Sequence, residues 1–395
     1  MTTAADAGLT PRLTAAFAAA CGAVVANIYL AQPLVGLIGP ELGLGAGWAG
    51  LVVTLTQLGY GAGLLLVVCL ADLLENRRLI LLLLLGTAAG LLGVALSGSA
   101  AGFLLASFVV GFCAVATQVL VPFASVLAPP ATRGRAIGTV MAGLLGGIML
   151  ARPFSSLVAS WLGWRAVFFV MAAAMLGVAA LLRRVLPRRQ PDTGLRYGGI
   201  LLSTVRLLLT TPVLQRRTAY QALMFAAFNL FWTAAPLLLG ERFGLGGQGI
   251  ALFALAGAGG ALVAPLAGRL ADRGRVRLLT GGAFAAAALS FAAAGWAGWA
   301  GALLPLAVAA IVLDAAAQGN QVVGQRVIFG LPAETRGRVN AIYMTCVFLS
   351  GAAGSALASL TLVHGGWVVT CGCGAALGLA GLALFATERR GRAPG

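Results

Sequence analysis

Two ionisable side chains, Asp314 and Arg152, stand deep within long apolar runs of the sequence. Placing either at the centre of a bilayer costs about 2.5–3.5 kcal/mol on insertion scales, so such residues face a protein interior and serve a purpose there. Asp314 lies about a dozen residues into its run, which is near mid-membrane at the helical rise of about 1.5 Å per residue. An acid in that setting can carry a proton. Burial favours its neutral form and a nearby arginine its charged form, and alternation between the two conditions takes up and releases one proton. Two other readings stay open: a permanent ion pair with Arg152, and recognition of a cationic solute.

Polar amides occupy the same apolar runs at Asn27, Gln32, Gln57, Gln118, Asn229, Gln318 and Gln321, and aromatic side chains at Tyr60, Phe225, Phe228, Trp232 and Tyr343. Together they could wall a cavity for a small organic molecule. Each amide alone is equally well read as an interhelical hydrogen bond, worth about 0.6 kcal/mol on average. Asn27 and Asn229 carry more weight because they precede Pro33 and Pro236 in matching places. Other chemistries lack their parts. An intramembrane enzyme needs a convergent nucleophile and base or a metal, and His364 is the only histidine. Cys371 and Cys373, two apart, match no zinc pattern. Gly59-Tyr60-Gly61-Ala62-Gly63 sits in an apolar run with no strand before it, so it is read as packing. No cofactor and no metal are expected, and the chain is not expected to be an enzyme.

The elements that position these residues follow from composition. The chain has 395 residues, of which 60% are hydrophobic and 9% charged, against about 25% charged in soluble domains. The solvent for so much apolar surface must be lipid. A net charge of +16 would suggest nucleic acid in a soluble protein, but aromatic stacking platforms are not interleaved with the arginines, and no nucleic-acid partner is expected. A spanning helix needs about 20 apolar residues. Twelve such runs are predicted, near Thr14–Gly36, Gly47–Leu70, Leu79–Ser97, Ala101–Val126, Ala136–Ala159 and Ala166–Leu186, then Thr218–Leu239, Gly249–Leu270, Leu278–Trp299, Ala302–Val327, Val339–Leu360 and Trp367–Phe385. The first is read as a retained helix rather than a cleaved signal, because it is long enough to span.

Arginine supplies every positive charge, and with the N-terminus inside, all but Arg152, Arg165 and Arg242 of the 26 fall on inner loops or inner helix ends. The positive-inside rule then predicts both termini in the cytoplasm and an even number of spans. The segment Pro187–Arg217 is the one long connection, and its Ile200–Leu209 stretch, too short to span, is read as an interfacial helix.

Either side of that connection the sequence repeats at a separation of about 200 residues. Leu70-Ala71-Asp72 recurs as Leu270-Ala271-Asp272, Thr132-Arg133-Gly134-Arg135 as Thr335-Arg336-Gly337-Arg338, and Gly163-Trp164 as Gly366-Trp367. Four matches in one order, counting the asparagine–proline pairs, are not chance. Six spans restore the starting side, so the repeat is parallel, about an axis along the membrane normal. The predicted division is an N-terminal six-helix bundle at 1–186, a cytoplasmic linker at 187–217 and a C-terminal six-helix bundle at 218–395. Two such bundles can rock around a central site and so give alternating access.

These residues resemble the major facilitator superfamily across nearly the whole chain. Its loop after the second span reads Gly-x-x-x-Asp-(Arg/Lys)-x-Gly-(Arg/Lys)-(Arg/Lys), matched by Gly268-Arg269-Leu270-Ala271-Asp272-Arg273-Gly274-Arg275. The first-half copy keeps Asp72 with Arg77 and Arg78 but has Val68 in place of the glycine. Asn27-Ile28-Tyr29-Leu30-Ala31-Gln32-Pro33-Leu34 and Glu75-Asn76-Arg77-Arg78 resemble the bacterial twelve-span drug and sugar efflux branch, which are proton antiporters. The resemblance implies an all-α integral membrane fold of twelve transmembrane helices in two pseudo-symmetric six-helix bundles, with spans one, four, seven and ten lining the path. It also implies that Asp72, Arg77 and Arg78, with Asp272, Arg273 and Arg275, form a cytoplasmic gate. Each aspartate would sit by a helix N-terminus of the other half or pair with loop arginines.

The expected function is secondary active transport of a small organic solute, by proton-coupled efflux. Proton-coupled uptake or facilitated diffusion is the alternative, and a non-transporting membrane sensor is an alternative of another class. With no lysine in the chain there is no GxxxxGK[ST] phosphate loop, so ATP is not expected to drive transport through this chain. The expected partners are a small-molecule substrate, protons and the lipid bilayer, in a monomer of the bacterial inner membrane. Sparse core charge argues against phosphorylated cargo and favours neutral, amphipathic or weakly cationic molecules.

Overall fold

The computed structural model describes residues 10–48, 50–129, 133–191, 196–332 and 335–388. Thr132 of the repeated motif and the tail arginines Arg389, Arg390 and Arg392 lie outside the described residues. Among those described, every regular element is helical. The chain divides into two compact units between Arg206 and Leu207, with the short segment Ala46–Gly50 grouped with the second. Unit one contains α1 (Pro11–Ala26), α2 (Val35–Glu41), α3 (Leu51–Leu66), α4 (Asn76–Leu96), α5 (Ala100–Cys113), α6 (Ala116–Leu127), α7 (Arg133–Leu162) and α8 (Trp164–Val185). A linking helix, α9 (Tyr197–Thr210), covers the division. Unit two contains α10 (Pro212–Phe243), α11 (Gly247–Ala258), α12 (Ala264–Asp272), α13 (Val276–Ala300), α14 (Leu303–Phe329) and α15 (Arg336–Ala386).

Nine helices among the described residues are long and apolar enough to cross a membrane. The difference from twelve has local causes. The predicted first span is broken after Ala26. Asn27, Ile28 and Tyr29 donate their backbone N–H groups to the carbonyls three residues back rather than four, and Pro33 has no N–H to give. The Asn27 side-chain amide donates to the carbonyls of Ala23 (2.9 Å) and Val24 (3.1 Å), and the chain re-enters helix at α2. The predicted eighth span is likewise interrupted, by a 3-10 turn over Gly259–Val263 that leads into α12, with Pro265 in its first turn. The predicted eleventh and twelfth spans run together as α15. At about 1.5 Å per residue its 51 residues would far exceed a bilayer, and the fold breaks it at Gly366, with φ 64° and ψ −165°. A side chain there would be strained, which is why glycine stands at the turn.

The repeated Gly-Trp pair therefore has one physical meaning in both units. Gly163 (φ 81°) and Gly366 (φ 64°) turn the chain, and the tryptophan that follows is buried and anchors the next helix. The indole N–H of Trp367 donates to Ala294 O at 2.8 Å. That of Trp164 donates to the Glu41 carboxylate, which also pairs with Arg165. The indole hydrogen bond, and after it the guanidinium, hold the exposed Glu41 carboxyl below its ordinary range. A depressed folded-state value stabilises above the unfolded carboxylate value of about 4.3 and is lost as pH falls through the folded value. Glu41→Gln is accordingly expected to lower the thermal midpoint by a constant amount at neutral pH. The difference should vanish in acid below the carboxylate range, as midpoints measured across a pH series would show.

Close helix crossings rely on small residues. In unit one α3 packs on α5 and α1 on α7. A Cβ built on Gly111 would lie 1.8 Å from Thr56 O, and one on Gly147 would lie 2.1 Å from Gly22 O. The linking helix α9 forms where the interfacial segment was predicted, with Ile200 and Thr204 buried and Leu202 and Leu209 exposed. Its 14 residues reach about 21 Å, short of the bilayer core of about 30 Å. Helix α10 begins at Pro212, six residues before the predicted span, because a proline is well suited to the first helical turn.

Candidate functional site

Each unit gathers its own polar side chains. In unit one the break after α1 brings Gln32 and Tyr29 against the middle of α7. Arg152, 3% exposed, donates from Nε to Gln32 Oε1 at 2.7 Å and lies over the Tyr29 ring at 5.3 Å. A guanidinium held by an amide and an aromatic face is a cation kept in place within an apolar surround. Ser155, one turn on, donates to Leu30 O at 2.6 Å and ties α7 to the same break. Asn27 also reaches Met175 Sδ at 3.5 Å, while its Oδ1 is buried without a hydrogen bond. Gln57 is fully buried on α3. Gln118 on α6 donates to Tyr60 Oη at 3.2 Å, so those two residues form an interhelical pair.

In unit two the centre is Asp314, 5% exposed, whose Oδ1 accepts the indole N–H of Trp232 at 2.7 Å. It stands about 17 Å along α14 by helical rise. Gly260 leaves room for it, since a Cβ there would meet the Asp314 Cβ at 2.8 Å. Trp232 is braced edge-on by Phe231 and Phe253, and a tryptophan so held is a fixed donor rather than a mobile one. Asn229, one turn earlier on α10, turns its amide back to Phe225 O at 2.9 Å. Phe225 and Phe228 stack at 5.7 Å, with Phe348 against Phe225 at 5.1 Å. Tyr343 is fully buried with a phenol oxygen that has no hydrogen bond, and Gly324 on α14 makes space for that oxygen.

Gln318 and Gln321 are half-buried on α14. The buried amide on α14 is instead Asn320, which donates to Gln221 Oε1 at 2.7 Å. A second pair, Thr233 and Ser355, joins α10 to α15 at 3.1 Å. Neither pair stood out in the sequence, where single amides and hydroxyls in apolar runs carry no mark of their partners.

The expected gate residues lie at helix ends. Asp72 closes a 3-10 turn over Val68–Asp72 and is exposed, as is Arg78. Arg77 donates to Arg183 O at the end of α8. Asp272 closes α12 and pairs with Arg326, at the end of α14 in the same unit. Its partner is thus a span-end arginine that the motif did not point to. Arg273 and Arg275 are exposed around Gly274, which turns at φ 76°. A further charged cluster escaped the sequence reading because its acid lies past the last span. Glu388 stands 3.6 Å from buried Arg217 and 3.9 Å from Arg277, and accepts from Tyr220 Oη at 3.2 Å.

A family model described as the Major Facilitator Superfamily matches residues 15–323 and 222–395. The chain belongs to the major facilitator superfamily. It is similar to the protein named uncharacterized transporter YgaY of Escherichia coli O157:H7, with 40% identity over 95% of each chain. It is similar to a chloramphenicol resistance protein of Streptomyces lividans, with 31% identity over 64% of each chain. Among solved structures, a D-xylose–proton symporter shares the fold with a TM-score of 0.73 at 16% identity, covering 95% of this chain and 97% of that one. The chain is therefore a multi-pass membrane transporter of the major facilitator fold, and small molecules are the cargo of that class.

Proposed function

We propose that this transporter exports a small neutral or weakly cationic organic solute in exchange for protons, by alternating access. The observation that carries the reading is the carboxyl of Asp314, buried at mid-helix and accepting the indole N–H of Trp232. A carboxyl so placed can be stable with or without its proton, which a carrier of protons requires. The aromatic surround of Phe225, Phe228, Trp232 and Phe348, and the buried phenol of Tyr343 with no hydrogen bond of its own, suit a solute that is largely apolar with few polar groups. Likeness to a chloramphenicol resistance protein supports the outward direction. The lopsided arginines support both termini and the arginine-rich loops on the cytoplasmic side.

The test is transport into everted membrane vesicles, with labelled chloramphenicol and a panel of neutral amphipathic solutes as probes. Acidifying the vesicle interior is expected to drive accumulation of a transported solute. Collapse of the pH gradient should release it. Solute accumulation that follows the gradient in the opposite sense would establish uptake, and flux that ignores the gradient would establish facilitated diffusion; either result overturns the proposal.

A further inference from the structure

At the arginine-rich end of unit one, a cleft of about 490 Å³ opens between α4, α8 and the start of the connection to α9. It is lined by Glu75, Arg77, Arg78, Arg183 and Arg188 together with Leu81, Leu82 and Leu85. We infer that this cleft is a binding site for an anionic phospholipid, its phosphate among the arginines and its acyl chain along the leucines. The inference does not rest on the direction or coupling of transport.

The site is assembled rather than a chance gathering of surface charge. Glu75 caps α4, accepting from Arg77 N at 3.1 Å, so its negative charge is engaged at the helix start. The Arg77 guanidinium donates to Arg183 O in the last turn of α8, which fixes the two helix ends together. The connection that follows α8 is docked on the same corner. Asn76 N donates to Arg189 O at 2.9 Å and Gln190 Nε2 to Leu73 O at 3.4 Å, and this docking brings Arg188 to the cleft. Four guanidiniums thus face one carboxylate. Positive charge clustered just beyond a membrane helix attracts anionic headgroups, and guanidinium is the side chain best matched to phosphate oxygens.

The leucines decide for a lipid. Arg78, Leu82 and Leu85 are spaced by four and then three residues, so they lie on one face of α4. Leu82 is 58% exposed and Leu85 49%. That face therefore runs from charge straight into an apolar rail pointing along the bilayer. Free phosphate would use the arginines alone and leave the rail to other lipids. A zwitterionic headgroup would bring its own cation among four others.

The experiment is native mass spectrometry of the full-length detergent-solubilised protein titrated with phosphatidylglycerol, phosphatidylcholine or inorganic phosphate. Phosphatidylglycerol is expected to bind at least tenfold more tightly than phosphatidylcholine, and inorganic phosphate is expected not to displace it. A juxtamembrane arginine contributes about fivefold in affinity for an anionic lipid, so Arg78→Gln with Arg188→Gln should weaken phosphatidylglycerol about 25-fold. The same pair changed to lysine should retain most of the affinity. Changing the exposed Arg133 and Arg135, which lie outside the cleft, to glutamine should leave it unaltered. Leu82→Asn should weaken the lipid without creating phosphate binding. Equal binding of the two lipids, displacement by inorganic phosphate, or an equal loss in the Arg133/Arg135 control would each overturn the inference. Should the glutamine pair fail to fold, the lipid comparison on the unaltered protein and the lysine pair still decide it.

Discussion

With asparagine at position 314, the transporter is expected to lose concentrative export while still exchanging solute down its gradient. The substitution keeps the shape and an oxygen that can accept the Trp232 N–H, the contact made by Asp314 at 2.7 Å, but it removes the only carboxyl of α14. One pH unit is worth 1.36 kcal/mol, which one-for-one exchange converts into about a tenfold concentration ratio. In vesicles with a gradient of one unit, the steady ratio should therefore fall from about ten to about one. Counterflow of pre-loaded solute should persist at a rate independent of pH. A merely structural acid would behave otherwise: its amide variant would lose counterflow as well, or lose nothing. If Asp314→Asn still concentrates solute as the unaltered protein does, the carboxyl carries no proton and the coupling proposal fails.

The second large effect concerns the packing of α3 on α5. A Cβ on Gly111 would stand 1.8 Å from Thr56 O and 2.9 Å from Tyr60 N, and one on Gly59 would stand 2.1 Å from Phe108 O. These neighbours are backbone atoms of facing helices, so no side-chain rotation relieves the clash. Forced overpacking costs about 1–3 kcal/mol even where side chains can shift, and Gly111→Val should cost at least about 3 kcal/mol. The expected result is a large drop in the thermal midpoint of the solubilised protein, or failure to accumulate in the membrane at all. Gly138 supplies the control. It lies within α7 with nothing near its missing Cβ, so Gly138→Ala should be neutral or gain up to about 1 kcal/mol of helix propensity. Equal stability of Gly111→Val and the unaltered protein would show that the helices do not meet where the glycines place them.

The elements were legible because hydropathy and charge act along the chain, one segment at a time. Repetition of Leu-Ala-Asp, Thr-Arg-Gly-Arg and Gly-Trp was equally plain, and for Gly-Trp the reason is now physical: a left-handed glycine turn followed by a buried anchor. Interruptions were less legible. Asn27 with Pro33 marked a feature of the first span, but whether an asparagine sits in a helix or ends it depends on which carbonyls its amide can reach. Four predicted spans proved to be pieced or joined for such local reasons.

Partners were the least legible part. The sequence itself determined that this is a lipid-embedded, duplicated, arginine-sided chain with a costly acid at 314 and a costly base at 152, because each of those properties sums over a run of neighbours. Only the tertiary structure decided that Arg152 is held by Gln32 and Tyr29, that Asp314 is held by Trp232, and that Asp272 pairs with Arg326. It also decided that Asn320, rather than its half-buried neighbours Gln318 and Gln321, is the buried amide of α14. Which face of a helix turns inward is set by how closely the small residues of adjoining helices let their backbones approach. That is a relation between segments far apart in the chain, and no single run of residues contains it.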